Sequence, residues 1–209
     1  INLIFYGEDG EIEYGGSTKN KDTPLFDVNY IINNYFEGDF KKIIKDSRLT
    51  KEELFWYNLD GIEKNLLNKI KLTHWGYFEP WDSYRNYLLA KEKYGLEESE
   101  QANEGTFTNF AQNDQALFAL HMYLMYLKFG FGRATQDAGI EIRRGAMDRD
   151  QAKNLVNLYD NSYPKNFIEL YLDYYQINLK EFNEILDKFA NKKIFEKKNG
   201  KWSPKFKIE

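Results

Sequence analysis

Residues 114–128, DQALFALHMYLMYLK, form a long apolar segment of the chain. Apolar side chains at spacings of three and four predict an α-helix. They also fall on most faces of that helix, and a helix that is apolar all round is buried. Other elements must therefore cover it, and 209 residues are enough to build a core around a central helix.

The patterns on either side of this helix predict two regions. Residues 1–96 contain two strand-like runs, 1–6 and 70–78, and several helical stretches, so an α/β region with a buried first strand is expected. Residues 97–209 predict a mainly α-helical region. Thr50/Glu53, Asp148/Gln151 and Asn178/Glu181 have the spacing of capping boxes, which start helices. Asn199-Gly200 predicts a hairpin turn near the C-terminus.

The composition excludes several classes of function. The net charge is -4 and the basic residues form no stripe, so no nucleic-acid partner is expected. Without cysteine, disulfides and thiolate zinc sites are ruled out, and with two histidines no metal site is expected. The sequence shows neither an 18-residue apolar span nor a signal peptide, so a cytoplasmic protein without membrane segments is expected.

Three loops carry residues suited to ligand binding. GEDGEIEYGG (7–16) follows the first strand, where its acids could contact a hydroxyl or Mg²⁺, or form a solvated loop. HWGYFEPWD (74–82) offers aromatic faces for a sugar ring or base, although at least two of its aromatics are expected in the core. EGTFTN (104–109) contains Glu104 as a candidate ligand contact, and Thr108 or Asn109 is expected to cap the next helix.

The segment KFGFGRATQDAG (128–139) lies between two helices. A G-x-G motif indicates dinucleotide binding only after a strand, so that function is excluded here. Gly130 and Gly132 permit a tight corner, and Arg133 lies beside the free N–H groups of the next helix, which suits a phosphate or carboxylate. Asp137 could instead pair with Arg133. The residues alone leave the corner and the anion site equally open.

Four segments together, FYGEDGEIEYGG, HWGYFEPWD, EGTFTNFAQND and YLKFGFGRATQDAGIEIRRGAMDRDQAKNLV, resemble the N-acetyl sugar amidotransferase family of the WbpG/PseA type. The resemblance implies an enzyme of lipopolysaccharide or flagellin-sugar biosynthesis, including pseudaminic acid. It implies a doubly wound ATP-pyrophosphatase (PP-loop) domain that uses ATP and Mg²⁺. The acetamido oxygen of the sugar would attack the α-phosphorus, and ammonia would then displace AMP to leave an acetamidino group. A HisH-like glutaminase and a HisF-like cyclase-type protein would supply the ammonia.

The chain departs from this family at its N-terminal side. The S-G-G-x-D-S phosphate loop and the Cys-x-x-Cys segments of the family do not occur in it. The resemblance implies that residues 1–96 are the C-terminal part of the ATP domain, that 97–209 are the helical region, and that the chain is one piece of a longer enzyme. By itself the chain is then expected to be inactive. A non-catalytic helical docking module for the glutaminase or cyclase-like partner, and a purely structural α-domain, are the alternatives.

The resemblance also implies roles for individual residues. Glu8 and Arg133 would be catalytic. The residues that would bind the sugar or nucleotide are Tyr14, Gly15, Gly16, Trp75, Tyr77, Trp81, Asp82, Glu104, Thr106, Asn109, Lys128, Gly130, Gly132 and Arg143. Lys128, Arg133 and Arg143 would meet a sugar carboxylate or a phosphate.

Overall fold

The computed structural model describes residues 1–7, 23–30, 45, 47–50, 52–55, 63–79, 81–111, 113 and 115–208. These fall into two compact units, Ile1–Trp81 and Asp82–Glu209. The functional division predicted at residue 96 stays a prediction. A small parallel sheet in the first unit and a mainly helical second unit agree with the expected fold class in its coarse form.

The first unit contains a two-stranded parallel sheet. Strand β1 (Leu3–Tyr6) pairs with β2 (Lys71–His74), and the short helix α1 (Lys64–Leu67) precedes β2. Both strands were predicted, but β2 gives way to a 3-10 turn at Trp75–Tyr77 instead of continuing to residue 78. The expectation of a buried first strand is wrong, because all four side chains of β1 are exposed. Among the described residues only β2 pairs with β1, which leaves its apolar side chains uncovered.

The second unit contains helices α2 (Ser83–Tyr94), α3 (Leu117–Phe129), α4 (Arg133–Arg143), α5 (Arg149–Tyr159), α6 (Ile168–Tyr175) and α7 (Leu179–Phe189). Strands β3 (Phe195–Lys198) and β4 (Lys201–Pro204) form an antiparallel hairpin. Asn199 and Gly200 have φ values of 50° and 80°, which is the turn that the sequence predicted.

Helix α3 is the centre of the second unit, as its apolar pattern predicted. Leu127 is fully buried, and it belongs to a core that includes Tyr171 of α6, Phe182 of α7 and Phe195 of β3. A smaller core joins α4 and α5 through Ala138, Ala152 and Val156. These two cores fix the ends of α3 and α4, and thereby the loops between the helices.

Candidate functional site

The glycine segment forms the corner between α3 and α4. Gly130 ends α3 with a φ of 87°, a left-handed conformation that favours glycine. Gly132 is the N-cap of α4, and a Cβ there would lie 2.8 Å from Oδ1 of Asp160. Glycine is therefore needed at 132 because another side chain approaches the backbone closely.

The first turn of α4 binds an anion, and that anion belongs to the same chain. The Asp160 carboxylate accepts hydrogen bonds from the Gly132 N–H at 2.9 Å, the Thr135 N–H at 3.1 Å and the Thr135 hydroxyl at 2.5 Å. Burial raises the pKa of Asp160, while these hydrogen bonds and that of the Ala134 N–H lower it. Asp160 thus satisfies donors that a helix N-terminus otherwise leaves without partners.

Arg133 lies at the same corner but takes part in a second buried network. Its Nε donates to Oδ1 of Asp137 at 2.8 Å, and Oδ2 of Asp137 accepts from the hydroxyls of Thr106 at 2.5 Å and Thr108 at 3.4 Å. Burial raises the pKa of Asp137, and the Arg133 guanidinium opposes that rise. The pairing of Arg133 with Asp137 at i, i+4, which the sequence left open, is therefore present.

This network ties the EGT segment (Glu104–Thr106) to the glycine corner. The carbonyl oxygen of Gly105 accepts from the Ala134 N–H at 3.1 Å, next to the Thr106–Asp137 contact. Two segments that the sequence singled out separately are thus in direct contact. With Gly105 and Thr106 held against α4, Glu104 lines a neighbouring cavity.

The cavity has a volume of about 860 Å³. Its wall combines aromatic, amide, acidic and basic side chains, which include Glu104, Tyr123, Tyr163, Asn166, Asp187 and Trp202. Asp187 accepts from Nζ of Lys197 at 2.7 Å and from the Trp202 indole N–H at 3.0 Å. The rings of Tyr123 and Tyr163 meet edge to face with centroids 5.5 Å apart, and burial raises the pKa of Tyr123 to about 12.

Glu104 is the carboxylate in this wall with an unsatisfied atom. Its Oε2 is buried and has no hydrogen-bond partner among the described residues. Burial raises the pKa of Glu104, while hydrogen bonds from Asn166 and the charge of Lys165 lower it. A buried acceptor without a donor is costly, so this oxygen is suited to a donor group of a ligand.

The other predicted site residues that the structure describes take part in local contacts of their own. Asn109 donates to the Ser99 carbonyl at 2.9 Å, and neither it nor Thr108 caps a helix, because α3 begins only at Leu117. Asp82 caps α2 by accepting from the Arg85 N–H at 2.9 Å. The ammonium group of Lys128 lies over the rings of Phe129 and Phe189. Of the other predicted site residues, Arg143, Trp75 and Tyr77 are exposed and Trp81 is half-buried.

Glu8, Tyr14, Gly15 and Gly16 lie outside the described residues, so their predicted roles stay predictions. The ligand-binding roles of the residues that are described stay predictions too. Sequence reasoning missed Asp160, Asn166, Asp187 and Trp202, which complete the corner and the cavity. Asp160 lies 28 residues from Gly132, and no spacing rule joins them. The only available signal was the run DNSYPKN (160–166), whose polar residues follow α5.

The comparison with protein families gives one match within the second unit. Residues 104–207 match the family described as LPS biosynthesis protein WbpG-like, C-terminal domain. The matched range contains the glycine corner and most of the cavity wall. A comparison with curated protein sequences found no match. In the part of the chain that the structure describes, every helix is too short or too polar to cross a membrane.

Proposed function

This chain belongs, through residues 104–207, to the WbpG-like family of lipopolysaccharide biosynthesis proteins, and on that premise we propose that it is part of an ATP-dependent sugar amidotransferase. The enzyme converts an acetamido group of a nucleotide-linked or nonulosonic sugar into an acetamidino group, through an adenylated imidate. A glutaminase, with a cyclase-like protein as conduit, supplies the ammonia. The amidination reaction takes place in the cytoplasm.

The observation that carries this proposal is the cavity beside Glu104. Its volume of about 860 Å³ falls in the range of small-molecule sites. Aromatic rings next to amide and carboxylate groups suit a sugar, which has apolar C–H faces and many hydroxyl groups. These features support the proposal that the sugar binds in this cavity, which the EGT segment connects to the glycine corner through Gly105.

The described residues do not fit ATP or Mg²⁺. The sequence lacks an S-G-G-x-D-S loop, and no three acidic or imidazole side chains of the described part converge on a metal-sized position. We therefore assign no step through ATP to these residues. Their role is to bind and orient the sugar and to keep water from the acetamido group, which positions the reacting atoms.

Arg133 is proposed to assist this reaction as an anion contact. Its side chain is partly exposed, with 18% of the side-chain surface accessible, and Arg133 precedes Ala134, whose N–H holds the EGT segment. In the complete enzyme, Arg133→Ala should abolish amidination of the acetamido sugar. The assay uses ATP and ammonium salt, and mass spectrometry detects the replacement of oxygen by NH.

A control must separate this role from the buried contact with Asp137. Arg133→Ala leaves the Asp137 carboxylate without its cation, which by itself destabilises a protein. The double variant Arg133→Ala/Asp137→Asn removes the negative charge of Asp137 together with the positive charge of Arg133. If the double variant melts like the parent and is still inactive, Arg133 acts on the substrate. If it recovers activity to within a few-fold, the contact is only structural and the catalytic assignment is wrong.

The exposed aromatic patch at the end of α3 favours a second function, that of a docking module for the ammonia-supplying partner. Phe129 and Phe131 are 56% and 40% exposed, and their rings stack with centroids 6.0 Å apart. Large exposed aromatics are enriched in protein interfaces. For a docking module, Phe131→Ser should lower glutamine-dependent amidination and leave ammonium-dependent amidination unchanged. Equal loss in both assays would exclude this function for the patch.

A further inference from the structure

We propose that the second unit binds the surface of a membrane that contains anionic lipids, through a patch of exposed lysine and phenylalanine side chains. This lysine–phenylalanine patch consists of Lys128, Phe129, Phe131, Phe189, Lys192 and Lys205. It lies at the end of α3 and on the segments that follow α7, and none of its residues lines the Glu104 cavity. The inference therefore goes beyond the proposed function and does not depend on it.

The three aromatic rings of the patch surround one ammonium group. Nζ of Lys128 lies 5.2 Å from the centroid of the Phe129 ring and 5.7 Å from that of the Phe189 ring. The ring of Phe131 stacks on that of Phe129 with centroids 6.0 Å apart. Residues from the end of α3 and from the end of α7 thus form a single group around Lys128.

The two other lysines follow α7 and lie beside this group. The Asn191 N–H donates to the Leu127 carbonyl at 2.9 Å, so the chain leaves α7 next to the end of α3. Lys192 is the next residue, and its carbonyl oxygen accepts from Nζ of Lys205 at 2.7 Å. These hydrogen bonds hold Lys192 and Lys205 close to the residues that flank Lys128.

The patch is exposed and positively charged. Phe129, Phe189 and Phe131 are 56%, 45% and 40% exposed, and the three lysines are exposed as well. Within the described part of the chain, no carboxylate lies at ion-pair distance from these lysines. Their charges are therefore available to an external anionic surface.

The sequence around the patch adds to this charge. Residues 188–207 contain eight lysines and a single acid, Glu196, although the net charge of the chain is -4. The chain as a whole shows no basic stripe, and this segment is a local exception. Salt screens charges over a short distance, so a nearby anionic surface responds to the local lysines more than to distant acids.

The residue types favour a lipid surface over a protein partner. Protein interfaces are enriched in arginine and aromatic residues and depleted in lysine, whereas all three basic residues of the patch are lysines. A lysine lays its apolar stem along an apolar surface while its ammonium group reaches the polar layer. The Phe129–Phe131 pair, considered above for a protein partner, is one part of this larger patch, and the lysines around it favour lipid instead.

An anionic membrane complements both components of the patch. Aromatic side chains of peripheral proteins enter the boundary between headgroups and acyl chains, where the three rings leave water. The lysines then lie at the level of the headgroups, whose negative charge attracts them. Free phosphate complements only the lysines and leaves the rings in water. A surface contact of this kind requires no membrane-spanning helix.

The test measures binding of the entire chain to vesicles by sedimentation. One set of vesicles contains phosphatidylcholine alone, and the other contains equal parts of phosphatidylcholine and phosphatidylglycerol. We expect binding to the mixed vesicles, little or none to the neutral ones, and a loss of binding as the salt concentration rises. A single-stranded oligonucleotide, measured at the same salt concentrations, tests for a nucleic-acid partner.

Variants separate the contributions of charge and of the rings. Lys128→Gln and Lys192→Gln should each weaken binding to the mixed vesicles about fivefold, the effect of one lysine at an anionic membrane surface. Phe131→Ser should weaken it about tenfold, because its ring no longer leaves water. Lys205 is left unchanged because its ammonium group holds the Lys192 carbonyl.

The matched controls make the same chemical changes outside the patch. Lys180→Gln replaces an exposed lysine in the first turn of α7, and Leu158→Ser replaces a 69% exposed apolar residue of α5. Both should bind the mixed vesicles like the parent. Thermal melting of every variant shows that each one is folded.

The outcomes identify what covers the patch. Equal binding to both kinds of vesicle, or folded lysine variants that bind like the parent, would refute the anionic surface. Binding of the oligonucleotide without binding of vesicles would make the patch a nucleic-acid site. If Phe131→Ser binds vesicles normally but loses glutamine-dependent amidination in the complete enzyme, a protein partner covers the rings. The vesicle assay contains neither sugar nor ATP, so failure of this inference and failure of the proposed function are observed separately.

Discussion

Asp160 shows how a single side chain can occupy the place of a ligand. The N-terminus of α4 has the donors and the dipole that attract an anion, and the Asp160 carboxylate fills that position with three hydrogen bonds. An external phosphate at the same N–H groups would first have to displace a buried carboxylate. The proposal of an external anion at this corner therefore rests on the partly exposed Arg133 side chain and not on these N–H groups.

Glu104 leads to a prediction about how the stability of the protein depends on pH. Burial raises its pKa above the ordinary 4.5, so the folded protein holds this proton more tightly than the unfolded chain does. The contribution of Glu104 to stability is therefore lost as pH rises from about 4.5 through the raised value. Glu104→Gln cannot ionise, so its free energy of unfolding should rise relative to the parent as pH increases from about 4 to about 7.

Urea denaturation of both proteins across this pH range measures the difference. The charged and titratable groups that act with Glu104 are Lys165 and Tyr171, and burial raises the pKa of Tyr171 to about 12. Tyr171 therefore does not titrate in this pH range. The raised pKa values of Asp137 and Asp160 affect both proteins alike and cancel. A difference that does not change with pH would show that Glu104 is solvated in the folded protein.

At the scale of the element, helix α4 has a glycine at its N-cap, Gly132, and one inside it, Gly139, and we expect opposite effects from replacing them. An alanine Cβ at 132 would lie 2.8 Å from Oδ1 and 3.3 Å from the carbonyl oxygen of Asp160, so Gly132→Ala should push the capping carboxylate away. We expect a loss of about 1–3 kcal/mol in the free energy of unfolding. At 139 the nearest atom is Nη1 of Arg143 at 3.3 Å, the end of a flexible side chain.

Gly139→Ala should therefore stabilise the protein by up to about 1 kcal/mol through helix propensity. Urea denaturation of the two variants at one pH provides the comparison, and each serves as the control of the other. Destabilisation of similar size in both would mean that α4 tolerates no added methyl group, and that the contact of Gly132 with Asp160 has no special weight.

The elements that the sequence predicted well are those fixed by neighbours in the chain. The reciprocal hydrogen bonds of the capping boxes are present at Asp148/Gln151 and Asn178/Glu181, where α5 and α7 begin. They are also present at Thr50/Glu53, where the described residues 52–54 form a turn. The burial of β1 was predicted wrongly, because burial depends on what packs on a strand and not on the strand's own residues. The site shows the same limit: Glu104 and the corner were found from local motifs, whereas Asn166, Asp187 and Trp202 reach the cavity only through tertiary packing.

At the scale of the whole molecule, the residues of the proposed sugar site all belong to the second unit. The cavity wall runs from Gln101 to Trp202, and the main core contains residues from Leu120 to Trp202. Every hydrogen bond described above for the corner and the cavity also joins residues beyond 81. The second unit therefore has its own core, its own helix caps and its own hairpin, and we expect it to fold by itself.

Residues 82–209 expressed alone should consequently fold as they do in the entire chain. We expect a cooperative thermal transition and a near-ultraviolet circular dichroism signal from the buried Trp202. Tyr171→Ala is a control that removes a fully buried core side chain and should abolish the transition. A fragment that shows no transition while the entire chain does would mean that the core of the second unit is not sufficient for folding.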